Sequence, residues 1–412
     1  MSSPTTQVAV APSATALAPG WRMWVPCIGM ALCSWLSFVD RGVLGILAPT
    51  ILNDTGMTAQ DLGVVIFFFF IVYTFGNPLW GMLIDYLGLR RAMLLAVGIW
   101  TAASAGHAFM GGIVGFSIAR ALLGLGEGAT FPGGLRTAVE SLPAHMRARG
   151  IAVSWSGGTL GAIMTPIVMV PIAVTYGWRA AFIVTGAFGV LWLVLWAMIA
   201  RPPYLPDSGR RSTKLSWPNP FELRFWALVF SYALPAIAPG PILNLMPTYL
   251  QRGLGVAQAD LAAIFWIPPA FWGLGYFVGG WAADKFATNE PRPVGMFALL
   301  TVLALPFGFT AGFESVPAAI AMMSWACFIG GMFQMLAMKV GSYAFPREQA
   351  ATMSGIASGA WSLVNAGLAP FIGRFFDQQA WSSAFWLIAV CPLVGVAVWA
   401  VLSRNDRAPI HA

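Results

Sequence analysis

The chain has 412 residues, of which 58% are hydrophobic and 9% charged, where a soluble domain carries roughly a quarter charged. So apolar a chain cannot be a water-soluble globular domain, and a net charge of +7 is here a signature of topology and lipid contact, not of nucleic-acid binding. The 45 glycines and 29 prolines fall inside apolar segments. Membrane helices tolerate both there, so they indicate close helix packing and bends.

In chain order, residues 1–22 read as a disordered tail rich in Ser, Thr, Ala and Pro. It has no basic region leading into a small-residue cleavage site, so a removable signal peptide is not expected. A helix needs about 20 apolar residues to cross the hydrocarbon. Stretches of that kind predict twelve spans, near 24–52, 61–84, 92–110, 112–136, 149–173, 179–200, 224–249, 259–283, 293–312, 316–343, 351–373 and 382–403. The organisation is then a six-helix half over 23–200, a polar linker over 201–222, a second half over 223–404 and a tail over 405–412. Cys27, Cys33, Cys327 and Cys391 lie in apolar runs with no paired or metal-like spacing, and read as small buried hydrophobes. No metal or cofactor is expected.

Loop charge sets the orientation. Fifteen basic residues, Arg22, Arg210, Arg211 and Lys214 among them, lie on one side, and Arg179, Arg252 and Arg374 on the other. The positive-inside rule then puts both termini in the cytoplasm.

The halves repeat each other. Gly81-Met-Leu-Ile-Asp85 returns as Gly280-Trp-Ala-Ala-Asp284, Leu142-Pro143 as Phe345-Pro346, and Trp178-Arg-Ala-Ala-Phe182 as Trp381-Ser-Ser-Ala-Phe385, at offsets of about 200. Such duplication is typical of secondary transporters that bind substrate near the midplane between repeats.

Gly81-x-x-x-Asp85-x-x-Gly88-x-Arg90-Arg91, with its second copy, resembles the signature loop of the major facilitator superfamily. Within that superfamily, Phe38-Val-Asp40-Arg41, Tyr73-x-x-x-Asn77-Pro78, Arg120-x-x-x-Gly124-x-x-Glu127-Gly-x-x-Phe131-Pro132 and Gly177-Trp178-Arg179-x-x-Phe182 resemble the anion:cation symporter family. The second half matches more loosely, through Leu245-Met-Pro247-Thr-Tyr249-Leu250, Met353-Ser-Gly355 and Pro370-x-x-Gly373. Tyr86 and Leu89 depart from usually basic positions of the signature loop, and Asn77 stands where many bacterial members carry Gln. The resemblance implies an all-α membrane protein of twelve transmembrane helices with the major facilitator fold. It also implies proton symport of an organic anion, with a sugar acid such as a hexuronate or an aldonate as substrate.

Charge inside the spans leads to the same chemistry independently. A charged side chain at the bilayer centre costs at least ~2.5–3.5 kcal/mol, so one that persists there marks an ion or substrate path. Asp40, Arg41, Arg120 and Glu127 lie well inside spans, all in the first half. Arg120 and Glu127 are two turns apart on one helix face, whereas Asp40 and Arg41 diverge by about 100°, so one of that pair points at the substrate. These four form buried ion pairs, Asp40 with Arg120 or Arg41 with Glu127, that hold spans 1 and 4 together, or they are a working site. Buried pairs contribute little to stability over apolar replacements, which favours the site. Arg41 and Arg120 suit a carboxylate, since a guanidinium offers paired donors and stays charged when desolvated. Asp40 and Glu127 suit proton coupling.

Tyr73 is a further substrate candidate, equally readable as a satisfied buried tyrosine. Asn244, Gln334 and Asn365 either read substrate hydroxyls or join helices by hydrogen bonds. Lys339, matching Arg136 in the repeat, is expected to snorkel to the surface, and His107 to sit at the interface. Asp85 and Asp284, beside Arg90, Arg91 and Lys285, are assigned to gating, through pairing with those charges or with a helix N-terminus.

There is no Walker loop, zinc-ligand helix or nucleophile elbow, so no enzyme is expected. A two-half repeat fits alternating access better than a channel. The expected partners are a small organic anion, protons and lipid, acting on a monomer in a bacterial inner membrane. The alternatives are an aromatic or small dicarboxylic acid as substrate, or a transporter-like sensor.

Overall fold

The computed structural model describes residues 20–143, 146–205, 218–287, 290, 292–345 and 347–404. Most of the expected N-terminal tail, the centre of the linker with Arg210, Arg211 and Lys214, and the C-terminal tail lie outside them. The described residues form helices and no strand.

In chain order the helices are α1 (Val25–Thr55), α2 (Ala59–Leu87), α3 (Leu89–Gly106), α4 (Ile113–Glu127), α5 (Thr130–Ser141), α6 (Arg147–Tyr176) and α7 (Trp178–Ile199). The second half has α8 (Leu223–Ala233), α9 (Pro239–Leu254), α10 (Leu261–Ile264), α11 (Ile267–Phe286), α12 (Val294–Ala304), α13 (Val316–Ala344), α14 (Arg347–Asp377) and α15 (Trp381–Leu402). Eleven helical units among the described residues are long and apolar enough to cross a membrane. The predicted seventh span is instead broken into α8 and α9, and together they complete twelve.

The break has a local cause. Pro49-Thr50-Ile51-Leu52 of α1 returns as Pro247-Thr248-Tyr249-Leu250 of α9, which sets Asp40-Arg41-Gly42 in register with Ala238-Pro239-Gly240. Proline removes a backbone donor and clashes with the preceding turn. Pro235 and Pro239 therefore interrupt the helix at the height where α1 carries its charges. Bare backbone at such depth is tolerated where it is covered by protein, and Pro235, Ala236 and Ile237 are buried. Span 4 is also broken, at Gly128 and Ala129, immediately after Glu127.

Small residues bring the helices close enough to share side chains. A Cβ at Gly124 of α4 would lie 2.4 Å from the Phe69 carbonyl oxygen of α2, and one at Gly275 of α11 would lie 2.2 Å from that of Phe328 of α13. Both belong to small-xxx-small pairs, Gly124 with Gly128 and Gly275 with Gly279, which is how membrane helices gain contact without a hydrophobic drive.

The halves are joined on the face opposite the termini, the far face. There a Cβ at Gly63 of α2 would meet the Ala369 carbonyl oxygen of α14 at 2.4 Å, and one at Gly373 of α14 that of Ala59 at 2.2 Å. A capping box of Thr58 and Asp61 starts α2. The Asp377 carboxylate, at the end of α14, accepts from the backbone N–H groups of Ala59 at 2.8 Å and Gln60 at 2.7 Å. Asp377 also holds Arg252 of α9 at 3.4 Å. Beside it, Gln258 donates to the Ile46 carbonyl at 2.9 Å and accepts from Thr50 at 3.0 Å. Nearer the middle, Thr74 of α2 donates to the Gly359 carbonyl of α14 at 3.2 Å.

Candidate functional site

Below this far-face seal a cavity lies between the halves, with about 890 Å³ of empty space including its open side. Phe38 and Arg41 of α1, Tyr73 of α2, Phe131 of α5 and Thr165 of α6 line it from the first half. Tyr232 of α8, Asn244 of α9, Trp272 and Tyr276 of α11, Gln334 of α13, and Ser358 and Trp361 of α14 line it from the second. Arg41 is the one charged side chain among these lining residues.

Arg41 is held from behind and beside. Its Nε donates to Glu127 Oε2 at 2.5 Å, and that oxygen also accepts from Ser37 Oγ at 2.8 Å. Ser37 is one turn before Arg41 on α1, so both reach α4 together. The guanidinium lies 4.5 Å from the Tyr73 ring, 5.0 Å from Phe38 and 5.3 Å from Phe69. Aromatic faces favour a desolvated cation. Arg41 Nη2, Glu127 Oε1 and the Tyr73 hydroxyl are buried without a partner among the described groups. This leaves unused hydrogen-bonding capacity around one cation, an arrangement suited to an incoming carboxylate.

The other two in-span charges lie further back. Asp40, next to Arg41 in sequence, faces into the first half. Its Oδ1 accepts from Ser104 of α3 at 2.6 Å, and Ser104 in turn meets Thr185 of α7 at 2.7 Å. Arg120 is 3% exposed, does not line the cavity, and reaches toward the Arg41 carbonyl at 3.5 Å. Helix α1 thus passes in front of Arg120 and presents Arg41 in its place. Of the two ion pairs foreseen, Arg41 with Glu127 forms, and none of the ion pairs of the described residues joins Asp40 to Arg120.

The amides differ. Asn244 and Gln334 line the cavity, whereas Asn365 is 3% exposed, donates to the Trp361 carbonyl and packs on Gly240.

At the terminus side, Asp85 pairs with Arg136 at 3.2 Å, and Arg136 also holds Glu140 at 2.5 Å. In the second half Asp284 pairs with Lys339 at 3.0 Å, and Lys339 also donates to the Ala283 carbonyl. Lys339 is therefore engaged at the end of α11 instead of reaching for the surface alone. Arg90, expected beside Asp85, donates to the Ala197 carbonyl, because Gly88, with a φ of 82°, turns the chain sharply between α2 and α3. Arg91 is exposed, and Lys285 lies 5.0 Å from the Trp281 ring. His107, at the outer end of span 3, is covered by protein. It is fully buried and stacked on Phe182 with ring centroids 5.0 Å apart.

Ser37 was within reach of sequence reasoning through its one-turn spacing from Arg41. Ser104 and Thr185 were not, since isolated hydroxyls in apolar helices carry no pattern. Trp272 was legible only as part of the Trp266, Phe271 and Trp272 cluster, which keeps an aromatic acid open as the alternative substrate.

The sequence matches the profile described as Major Facilitator Superfamily over residues 30–367. The chain belongs to the major facilitator superfamily. It is 24% identical to a hexuronate transporter of Escherichia coli strain K12, over 94% of this chain and 98% of that one. It is 25% identical to a D-galactonate transporter of Escherichia coli O6:H1, over 93% and 96% respectively. Among solved structures, a bacterial homologue of the human lysosomal transporter Spinster, in an inward-facing and occupied conformation, superposes with a TM-score of 0.81. It is 18% identical, and the match covers 94% of this chain and 98% of that one. The superfamily is one of transport proteins, and this member is a multi-pass, all-helical membrane protein with two six-helix halves.

Proposed function

We propose that the protein is a proton-coupled symporter that imports an organic monocarboxylate of the sugar-acid class across a bacterial inner membrane, with both termini in the cytoplasm. The observation that carries this reading is the single charged side chain among the described residues lining the inter-half cavity, Arg41, with a carboxylate partner behind it and a guanidinium nitrogen to spare. The names of the two Escherichia coli relatives support the sugar-acid class.

In this mechanism Glu127 and the substrate carboxylate compete for Arg41. A proton arriving on Glu127 weakens its hold on the guanidinium, which turns to the substrate; Tyr73 supplies a further donor at the same place. Asp40, with Ser104 and Thr185, is a second carboxylate for proton storage in the first half. Arg120 supports the field around both carboxylates from behind. A monoanion entering a negative interior alone climbs roughly 2.3 kcal/mol per 100 mV, and one accompanying proton removes that cost. Asp85 with Arg136, and Asp284 with Lys339, act in gating at the cytoplasmic ends, and the far-face seal is the periplasmic gate.

Purified protein in proteoliposomes, given labelled D-galactonate or D-glucuronate, tests the proposal. Accumulation is expected with an inward proton gradient and lost when a protonophore collapses it. Accumulation insensitive to the protonophore would end the coupling claim, and ligand binding without uptake would make the protein a sensor.

A further inference from the structure

The second half of the cavity contains an amide whose orientation is fixed. Trp272 Nε1 of α11 points at Gln334 Oε1 of α13 at 3.1 Å. An indole nitrogen only donates, so the atom facing it must be the amide oxygen, and the Gln334 NH₂ is turned away from the tryptophan with its donors available. Both side chains line the cavity. Across the cavity the amide of Asn244 has the opposite setting. Its NH₂ donates to the Gly240 carbonyl at 2.8 Å, which leaves its oxygen as the free group.

Trp272 reaches Gln334 because α11 and α13 are nearly in backbone contact. A Cβ at Gly331 would lie 2.6 Å from the Trp272 carbonyl oxygen, and one at Gly279 2.6 Å from the Met332 Cα. The same tryptophan also faces the first half, with its ring 6.1 Å from that of Phe38, which itself lies against the Arg41 guanidinium. One aromatic path therefore leads from the cation in the first half to the oriented donor in the second. None of the described second-half side chains lining the cavity is charged, so this end is matched to a neutral group.

We propose that Trp272 and Gln334 form a specificity element: Gln334 donates to a neutral acceptor oxygen, a hydroxyl or carbonyl, at the end of the substrate remote from its carboxylate, and Trp272 is the positioning residue that holds that donor. The substrate class that follows is a monocarboxylate with an oxygen function at its far end, as against a dicarboxylate or an acid with a bare hydrocarbon end. This rests on the carboxylate reading of Arg41 and extends it to the opposite half. The loss of one such hydrogen bond corresponds to about a tenfold change in affinity, and a site whose donor is left unpaired rejects the analogue that lacks the oxygen.

The test uses two matched pairs of probes on the full-length protein: D-galactonate with its 6-deoxy form D-fuconate, and 4-hydroxyphenylacetate with phenylacetate. Affinities come from ligand-induced thermal shifts of purified protein and from competition in proteoliposomes. The wild type is expected to prefer the oxygen-bearing member of at least one pair about tenfold. In Gln334→Met that preference falls to within about twofold, and in Trp272→Phe it falls part of the way. A merely structural role for either residue would lower ligand-free melting temperature or expression without altering the ratio within a pair. Equal affinity of the wild type for the two members of every pair that binds, or a ratio that survives Gln334→Met, overturns the proposal and leaves the carboxylate reading intact. Binding of none of the four probes overturns both. In each variant the preference for galactonate over uncharged galactonamide is expected to persist, because it depends on Arg41.

Discussion

The two halves share a scaffold and differ in charge. In both, the second and fourth spans pack through glycine pairs, and in both an aspartate at the end of the second span takes a cation from the fourth, Arg136 on Asp85 and Lys339 on Asp284. At mid-membrane the likeness stops. Where α1 has Asp40-Arg41-Gly42, the second half has Ala238-Pro239-Gly240 and a broken helix. Among the described residues the four mid-span charges thus stand on one side of the cavity, and the other side offers aromatic rings, hydroxyls and two amides. In the proposed mechanism the duplicated parts serve gating, and the parts that diverged serve ion chemistry on one side and recognition on the other.

The largest expected effect comes from removing the exchangeable proton from the charged half. Glu127→Gln is expected to abolish pH-driven accumulation while substrate counterflow continues in part, since the amide still offers an oxygen to Arg41. Accumulation equal to wild type would remove Glu127 from coupling. Next is the cation itself. Arg41→Lys keeps charge but loses the paired donors, so apparent affinity is expected to fall on the order of tenfold or more. Arg120→Lys, which changes no atom lining the cavity, is expected to stay within a few-fold. Uptake against substrate concentration with matched expression measures both, and the reverse order would restore Arg120 as the carboxylate ligand.

The separation of these two arginines shows what the sequence could convey. Span number, the duplication and the four in-span charges were legible, because hydropathy, repeated landmarks and the cost of charge in hydrocarbon are all local signals. Which arginine lines the cavity was not. Helical spacing places Arg120 and Glu127 on one face of α4 but cannot say that α1 lies in front and inserts Arg41 between them and the cavity. The break in span 7 was latent in Pro235 and Pro239, yet proline is common enough in membrane helices that only the register with α1 gives it meaning. Asp85 was assigned to nearby Arg90 and Arg91 because sequence neighbours are visible and Arg136, from another span, is not.

The gates allow a finer comparison. Asp377→Asn weakens a carboxylate contact to the α2 N-terminus worth about 0.3–1 kcal/mol, so far-face accessibility to a thiol reagent at an introduced cysteine is expected to rise about two- to fivefold. At the opposite ends, Asp85→Asn is expected to shift accessibility more than Asp284→Asn. The Asp85 side chain is 34% exposed and that of Asp284 is 83% exposed, and solvent screens the more exposed pair. Each effect is about twofold or less, and equal shifts would mean that burial does not set the strength of these pairs.

Asp377 closes the far face by gripping main chain at two short contacts, with Arg252 at a longer one, and this has a consequence for how the carrier responds to its surroundings. When the seal parts, the carboxylate and the Ala59 and Gln60 N–H groups can all be hydrated at once, so neither direction of the motion is strongly uphill. Such a clasp is also screened by dissolved ions, with a Debye length of about 8 Å at physiological ionic strength. The balance between sealed and open states is therefore expected to follow external salt, so that turnover is set partly by the medium the cell lives in.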